Sequence, residues 1–172
     1  MFIEVAIYGR GGHGGVTAAR ILATAAMLSG YYSQAMPQFG PERRGAEVKA
    51  YLRISDKIIR RKSPVVSPDI VVLFEETLKY SGEPETVVLN SAQDYAGKGV
   101  KFYTIRATEI SVKYGLMSTG WPILGPPMAG AAAKALNLPL DCLRDAITME
   151  LGLKAENSLK AAEEAYRVVK CQ

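Results

Sequence analysis

The chain has 172 residues, 48% of them hydrophobic and 22% charged, and a net charge of +4. That suits one globular domain over residues 1–172 and excludes disordered, collagenous and disulfide-scaffold classes. Cys142, Cys171 and the single His13 cannot make a four-cysteine zinc or iron–sulfur centre, and no apolar run is long enough for a membrane span, so a cytoplasmic chain with no metal of its own is expected.

Residues 2–8 (FIEVAIY) read as a buried strand. Residues 9–15 follow as a loop with five glycines in seven positions. Residues 16–28 are Ala-rich and apolar on most faces, a buried helix that Gly30 ends. A strand, a Gly-rich loop and a helix open an α/β fold. Residues 31–36 form a second strand, and 37–45 (PQFGPERRG) a loop held by two prolines and two glycines.

Residues 46–54 alternate, with Ala46, Val48, Ala50, Leu52 and Ile54 on one face and Glu47, Lys49, Tyr51 and Arg53 on the other. That pattern predicts a half-exposed strand. Ser55-Asp56 then turns it into residues 57–61, giving an expected β-hairpin. Residues 41–62 hold eight basic residues against three acidic ones, while the rest of the chain carries −1. This basic stretch reads as a solvated strand pair, or as a site for an anionic ligand or an acidic partner subunit. It lacks a recognition helix and an aromatic stacking pattern, so nucleic acid is not expected.

Residues 70–74, 86–89 and 100–105 read as central parallel strands. Residues 75–80 suit a short helix, and 107–116 a second one. Pro127 suits the first turn of a helix through MAGAAAKAL. Residues 139–151 and 155–169 are amphipathic helices. The expected fold is α/β: a three-layer, Rossmann-like, mostly parallel sheet with an inserted β-hairpin.

Gly9, Gly11 and Gly14 fit GxGxxG between a strand and a helix. Such a loop lets an oxygen-rich ligand approach backbone amides, and the helix N-terminus adds positive potential. Gly9, Arg10, Gly11, Gly12, His13, Gly14 and Gly15 are therefore candidate binding residues for a phosphate-bearing ligand, or else a structural turn. Thr17 would ligate phosphate or cap the helix. The acidic residue that a dinucleotide site places after its second strand is missing from residues 31–36, which disfavours a nicotinamide dehydrogenase. Glu75, Glu76, Asn90 and Ser91 end central strands at the carboxyl edge, where open α/β sheets bind ligands. Phe39, Glu42, Arg43 and Arg44 sit in the rigid loop and make a candidate partner interface, since arginine forks suit carboxylate or phosphate. No catalytic nucleophile is apparent.

GRGGHGGVTAARIL followed by QAMPQFGPERRGAEVKAYLRIS resembles the gamma subunit of pyruvate and related 2-oxoacid:ferredoxin oxidoreductases. SPDIVVLFEETL and ELGLKAENSLKAAEEAY are similar to later blocks of the same family. The chain departs from the family pattern at His13, where Gln is usual, at Glu47, where Pro is common, and along GWPILGPPMAG. The resemblance implies a non-autonomous subunit of an enzyme that decarboxylates a 2-oxoacid oxidatively to acyl-CoA and passes electrons to ferredoxin. It implies coenzyme A as a possible direct ligand. Thiamine diphosphate, magnesium and iron–sulfur clusters would lie on alpha/beta-type and ferredoxin-like delta-type partners. The GPERRG form favours the pyruvate-type branch. The alternative is a stand-alone nucleotide-binding or regulatory module.

Overall fold

The computed structural model describes residues 1–38 and 45–172. Strand β1 (Phe2–Arg10) runs through the middle of a seven-stranded sheet, with Val5, Ala6, Ile7 and Tyr8 all buried. It pairs antiparallel with β3 (Glu47–Ser55) and parallel with β4 (Ile70–Leu73). Strand β2 (Tyr32–Pro37) borders β3 on its other side. Parallel strands β5 (Thr86–Asn90) and β6 (Lys101–Ile105) follow β4, and β6 ends the order against β9 (Lys170–Cys171). The register makes β1, β2, β4, β5 and β6 run one way, and β3 and β9 the other. This is the expected mostly parallel α/β sheet.

The helices stack two deep on one sheet face. Helix α1 (Gly15–Leu28) lies across β2 and β3, and α3 (Gly125–Ala135) beside it meets β5 and β6. Helix α4 (Leu140–Leu151) packs on α1, and α5 (Glu156–Val168) on α3. The short α2 (Ala107–Lys113) leans on α3 and α5. Sheet, inner helices and outer helices thus form three layers. The opposite face clusters Ala6, Tyr8, Val71, Leu73, Val87 and Leu89 with Leu78, and draws no residue from a described helix.

Punctuation residues behave as their chemistry demands. Gly30 takes φ +94° just beyond α1, and prolines occupy the first turn of α3, where a missing N–H costs nothing. Helix α3 is buried from Gly125 to Ala133 because its small side chains let α5 approach. A Cβ on Gly130 would stand 2.1 Å from the Ala162 carbonyl oxygen.

Several expectations are corrected. The hairpin is β2–β3, and residues 57–61 form no strand. Both edges of β3 are already filled by β1 and β2, so nothing is left for residues 57–61 to pair with. Nor is Arg53 on an exposed face. It is fully buried, its Nε 2.9 Å from Glu4 Oε2, and it donates to the carbonyls of Arg61 (3.3 Å) and Ser63 (2.6 Å). The short helix at 75–80 does not form, because Glu75 and Thr77 are held by Arg10 and so few residues cannot nucleate one alone. Helix α2 ends at Lys113, with Gly115 at φ +68°. Strand β9 and a small antiparallel pair, β7 (Met117–Ser118) with β8 (Trp121–Pro122), were not expected.

Candidate functional site

The Gly-rich segment starts inside β1 rather than after it. Gly9 and Arg10 are still paired to Val48 and Glu47 of β3. Gly11 N donates to Ala46 O (2.8 Å), and Gly45 N to Gly11 O (3.3 Å). The loop is therefore stitched to the residue that closes the PQFGPERRG segment. Gly12 and Gly14 take φ +90° and +92°, the left-handed region that favours glycine. Their surroundings differ. Among the described residues a Cβ on Gly12 would meet nothing within 4 Å, whereas one on Gly14 would meet the backbone of Gly125 at 3.2 Å. Gly14 is the N-cap of α1, and no side chain among the described residues caps that helix. The Thr17 hydroxyl is thus not used as a cap, and the first turn offers its amides beside the open space at Gly12.

The two charged or titratable candidates are held by the protein. Arg10 forms a close ion pair with Glu75 through Nε, donates to Gly45 O (3.2 Å) through Nη1 and to Thr77 Oγ1 (3.3 Å) through Nη2. Burial pushes the Glu75 carboxyl up. Hydrogen bonds from Thr77 and Arg10, with the Arg10 charge, outweigh it and hold the group below the usual carboxylate range. Arg10 is then a strut between β1, residue 45 and the end of β4 rather than a free cation.

His13 is 5% exposed, its ring tilted against Trp121 at 5.8 Å between centroids. Its Nδ1 is buried without a hydrogen-bond partner among the described residues. Its carbonyl accepts from Leu124 N (2.8 Å) and Gly125 N (3.0 Å), which ties the loop to the start of α3. Burial lowers its pKa, the nearby Glu75 opposes that and Arg10 adds to it, so neutral imidazole is favoured. A buried neutral ring suits packing and hydrogen bonding rather than charge attraction.

The carboxyl ends of the parallel strands continue the site. Residues Glu75, Glu76, Asn90, Ser91, Arg106 and Thr108 line a cleft of about 460 Å³. Asn90 is fully occupied: Nδ2 donates to Phe74 O (3.0 Å) and Thr108 Oγ1 (2.9 Å), and Oδ1 accepts from Ala107 N (2.9 Å). Ser91 donates closely to Glu76. These bonds tie adjacent strand ends together, and Ser91 Oγ also accepts from Gln93 N (2.9 Å), a local turn contact. Arg106, Thr108 and Trp121 were missed. Arg106 had a usable signal, since it directly follows a central strand and so falls on the same edge. Trp121 had none, because the β7–β8 pair that presents it is set by tertiary packing.

The expected interface residues Phe39, Glu42, Arg43 and Arg44 lie outside the described residues. Among the described residues, no group of three or more His, Cys, Asp or Glu side chains converges as a metal site, and no helix is long and apolar enough to cross a membrane.

The model of the family described as pyruvate ferredoxin/flavodoxin oxidoreductase matches residues 4–168. The chain is 43% identical to the pyruvate synthase subunit PorC of Methanothermobacter thermautotrophicus over 176 aligned positions, covering 97% of this chain and 96% of that one. It is 38% identical to the pyruvate/ketoisovalerate oxidoreductases common subunit gamma of Thermococcus litoralis, covering 95% of each. In structure it is similar to the pyruvate oxidoreductase subunit PORC of Thermotoga maritima, with TM-score 0.80, 28% identity, and 99% and 98% of the two chains covered.

Proposed function

Because the chain belongs to the pyruvate ferredoxin/flavodoxin oxidoreductase family, we propose that it works as the gamma subunit of a pyruvate-type 2-oxoacid:ferredoxin oxidoreductase. The observation that carries this is end-to-end similarity to chains that are themselves subunits, at 43% and 38% identity. The complex decarboxylates a 2-oxoacid, joins the acyl group to coenzyme A and passes the electrons to ferredoxin. This chain is a non-autonomous part of that enzyme. Thiamine diphosphate, magnesium and iron–sulfur clusters belong to alpha/beta-type and ferredoxin-like delta-type partners in this reading, and the whole assembly is cytoplasmic. A gamma chain common to pyruvate and ketoisovalerate enzymes in Thermococcus litoralis supports placing oxoacid selectivity on other subunits.

In the same reading the 9–15 loop holds the phosphates of coenzyme A. Gly12 keeps a side chain out of the approach, Gly14 lets the loop pack on the Gly125 backbone, Gly15 faces Ile7, and the N-terminus of α1 supplies amides and positive potential. Thr17 adds a hydroxyl from the first turn. Arg10 and His13 hold the loop in shape, Arg10 through Glu75 and Gly45, His13 through Leu124 and Gly125. Gly9 stays small because a Cβ there would touch the Phe74 ring at 3.4 Å. The partner-facing role of Phe39, Glu42, Arg43 and Arg44 remains part of the proposal.

Gly12→Asp in the assembled enzyme tests the ligand assignment. Among the described residues nothing fills the space at Gly12, so the substitution adds a carboxylate where a phosphate would lie at the cost of the strain of φ +90°. The expected result is a raised apparent KM for coenzyme A with oxoacid decarboxylation retained. Unchanged coenzyme A dependence in a folded, assembled variant reduces the loop to a structural turn. Copurification with thiamine- and cluster-bearing chains tests the subunit reading separately; a chain that never leaves solution as a complex is the stand-alone module instead.

A further inference from the structure

We propose that the cavity at the carboxyl end of β6 binds a small zwitterion of the chemical class of a free aliphatic amino acid. The cavity has a volume of about 260 Å³, below the usual range for drug-sized ligands, so it suits a molecule of few carbons. It is separated from the 9–15 loop by β4 and β5, and it shares only part of its wall, including Arg106 and Glu109, with the larger cleft.

Its lining has three kinds of chemistry. Ile105, Ile110 and Val168 give an apolar side that accepts a branched aliphatic group. Thr104 supplies a hydroxyl that is buried without a hydrogen-bond partner among the described residues, on a side chain only 4% exposed. Leaving such a group unpaired is costly, and a ligand atom that pairs with it recovers that cost. The rim carries two cations and two anions in loose pairs. Lys170 Nζ is 3.8 Å from Asp94 Oδ1, and Arg106 Nη1 is 3.5 Å from Glu109 Oε1.

The charge balance selects the ligand. A simple carboxylate would meet Asp94 and Glu109 as well as the cations. A simple amine would meet Arg106 and Lys170 as well as the anions. A molecule with one carboxylate and one ammonium on the same carbon matches both pairs, and each loose ion pair can exchange its partner for the ligand at little cost, because exposed pairs are weak. The inference does not rest on the coenzyme A assignment.

The test uses the full-length chain with L-valine as probe. Isovalerate, which lacks the ammonium, and isobutylamine, which lacks the carboxylate, serve as controls. Amide NMR shifts report the place, and calorimetric titration the affinity. We expect saturable binding of L-valine in the millimolar range or tighter, with shifts at Thr104, Arg106 and Lys170. Each control should bind about tenfold more weakly, as should L-valine to Thr104→Val and Lys170→Gln. Thr104→Val preserves shape and strand preference, and Lys170→Gln lies near the exposed C-terminus, so a fold failure in one leaves the other. The proposal is overturned by an absence of shifts at these residues, by isovalerate binding as well as L-valine, or by parent-like binding in both variants.

Discussion

Gly125 packs so closely on Gly14 that a Cβ on it would stand 2.7 Å from the Gly14 carbonyl oxygen. That contact joins the start of α3 to the last turn of the Gly-rich loop. It is reinforced by the Leu124 and Gly125 amides, which both donate to His13 O. The stretch GWPILGPPMAG, which differs from the family pattern, is thus the floor against which the loop is shaped.

Gly125→Ala should destabilise the protein by about 1–3 kcal/mol, since neither partner is a side chain that can turn away. Gly130→Ala should cost at least as much, because the α3 and α5 backbones must separate. Gly12→Ala is the control and should lose only about 1–2 kcal/mol, from left-handed strain alone. Urea unfolding of the three variants decides the order; a Gly125→Ala protein as stable as the parent would refute the close packing.

Arg53→Met should cost about 3 kcal/mol or more, because Glu4 and the Arg61 and Ser63 carbonyls lose their buried donor. Adding Glu4→Gln should recover part of that loss, since the carboxylate would otherwise have to rely on the exposed Arg61, 3.6 Å away. Chemical denaturation of the single and double variants measures it. Equal stabilities would mean the pair is not coupled.

The pH response of His13 has a definite sign. Its folded pKa lies below the ordinary value of about 6.5, so the unfolded chain binds more protons in the window just below that value. Its contribution to stability is therefore complete above this window and is lost as pH falls through it. His13 is the only histidine, so one imidazole signal in an NMR titration reports it. The midpoint should fall below 6.5, and His13→Gln should flatten the stability profile there. A midpoint at or above that value contradicts the burial seen here.

Glu75 acts in the more acidic range. Its carboxyl is depressed in the folded chain, so its contribution is present above the ordinary carboxylate pKa and lost as pH falls through the folded value. Glu75→Gln should be less stable than the parent near neutrality and should converge with it in acid. Thermal melts across that range check the convergence; a constant gap would point to lost hydrogen bonding rather than lost charge.

Arg43→Ala with Arg44→Ala should weaken assembly with partner subunits and leave the chain folded. Desolvated interface arginines cost about 2 kcal/mol or more, whereas solvated ones cost little. Copurification measures assembly, and circular dichroism the fold. Parent-like assembly would remove these residues from the interface.

The elements legible in the residues are those whose causes are local. FIEVAIY, IVVLF and TVVLN are apolar runs with turn residues around them, and Gly30 and Pro127 mark a helix end and a helix start. The glycines at 12 and 14 announce a loop needing left-handed backbone, which is where φ is positive. Alternation correctly identified β3 as a strand but put Arg53 on the wrong side of the solvent boundary, because alternation describes two faces and says nothing of what covers the second. Residues 57–61 look as strand-like as their neighbours, yet strand formation there depends on a free edge, and β1 and β2 had taken both edges of β3. The Arg10–Glu75 strut joins residues 65 positions apart, brought together by the parallel pairing of β1 with β4. Side-chain type and spacing set which segments can be strands, loops and helices; pairing partners, edge occupancy and burial arise only once distant segments share one sheet.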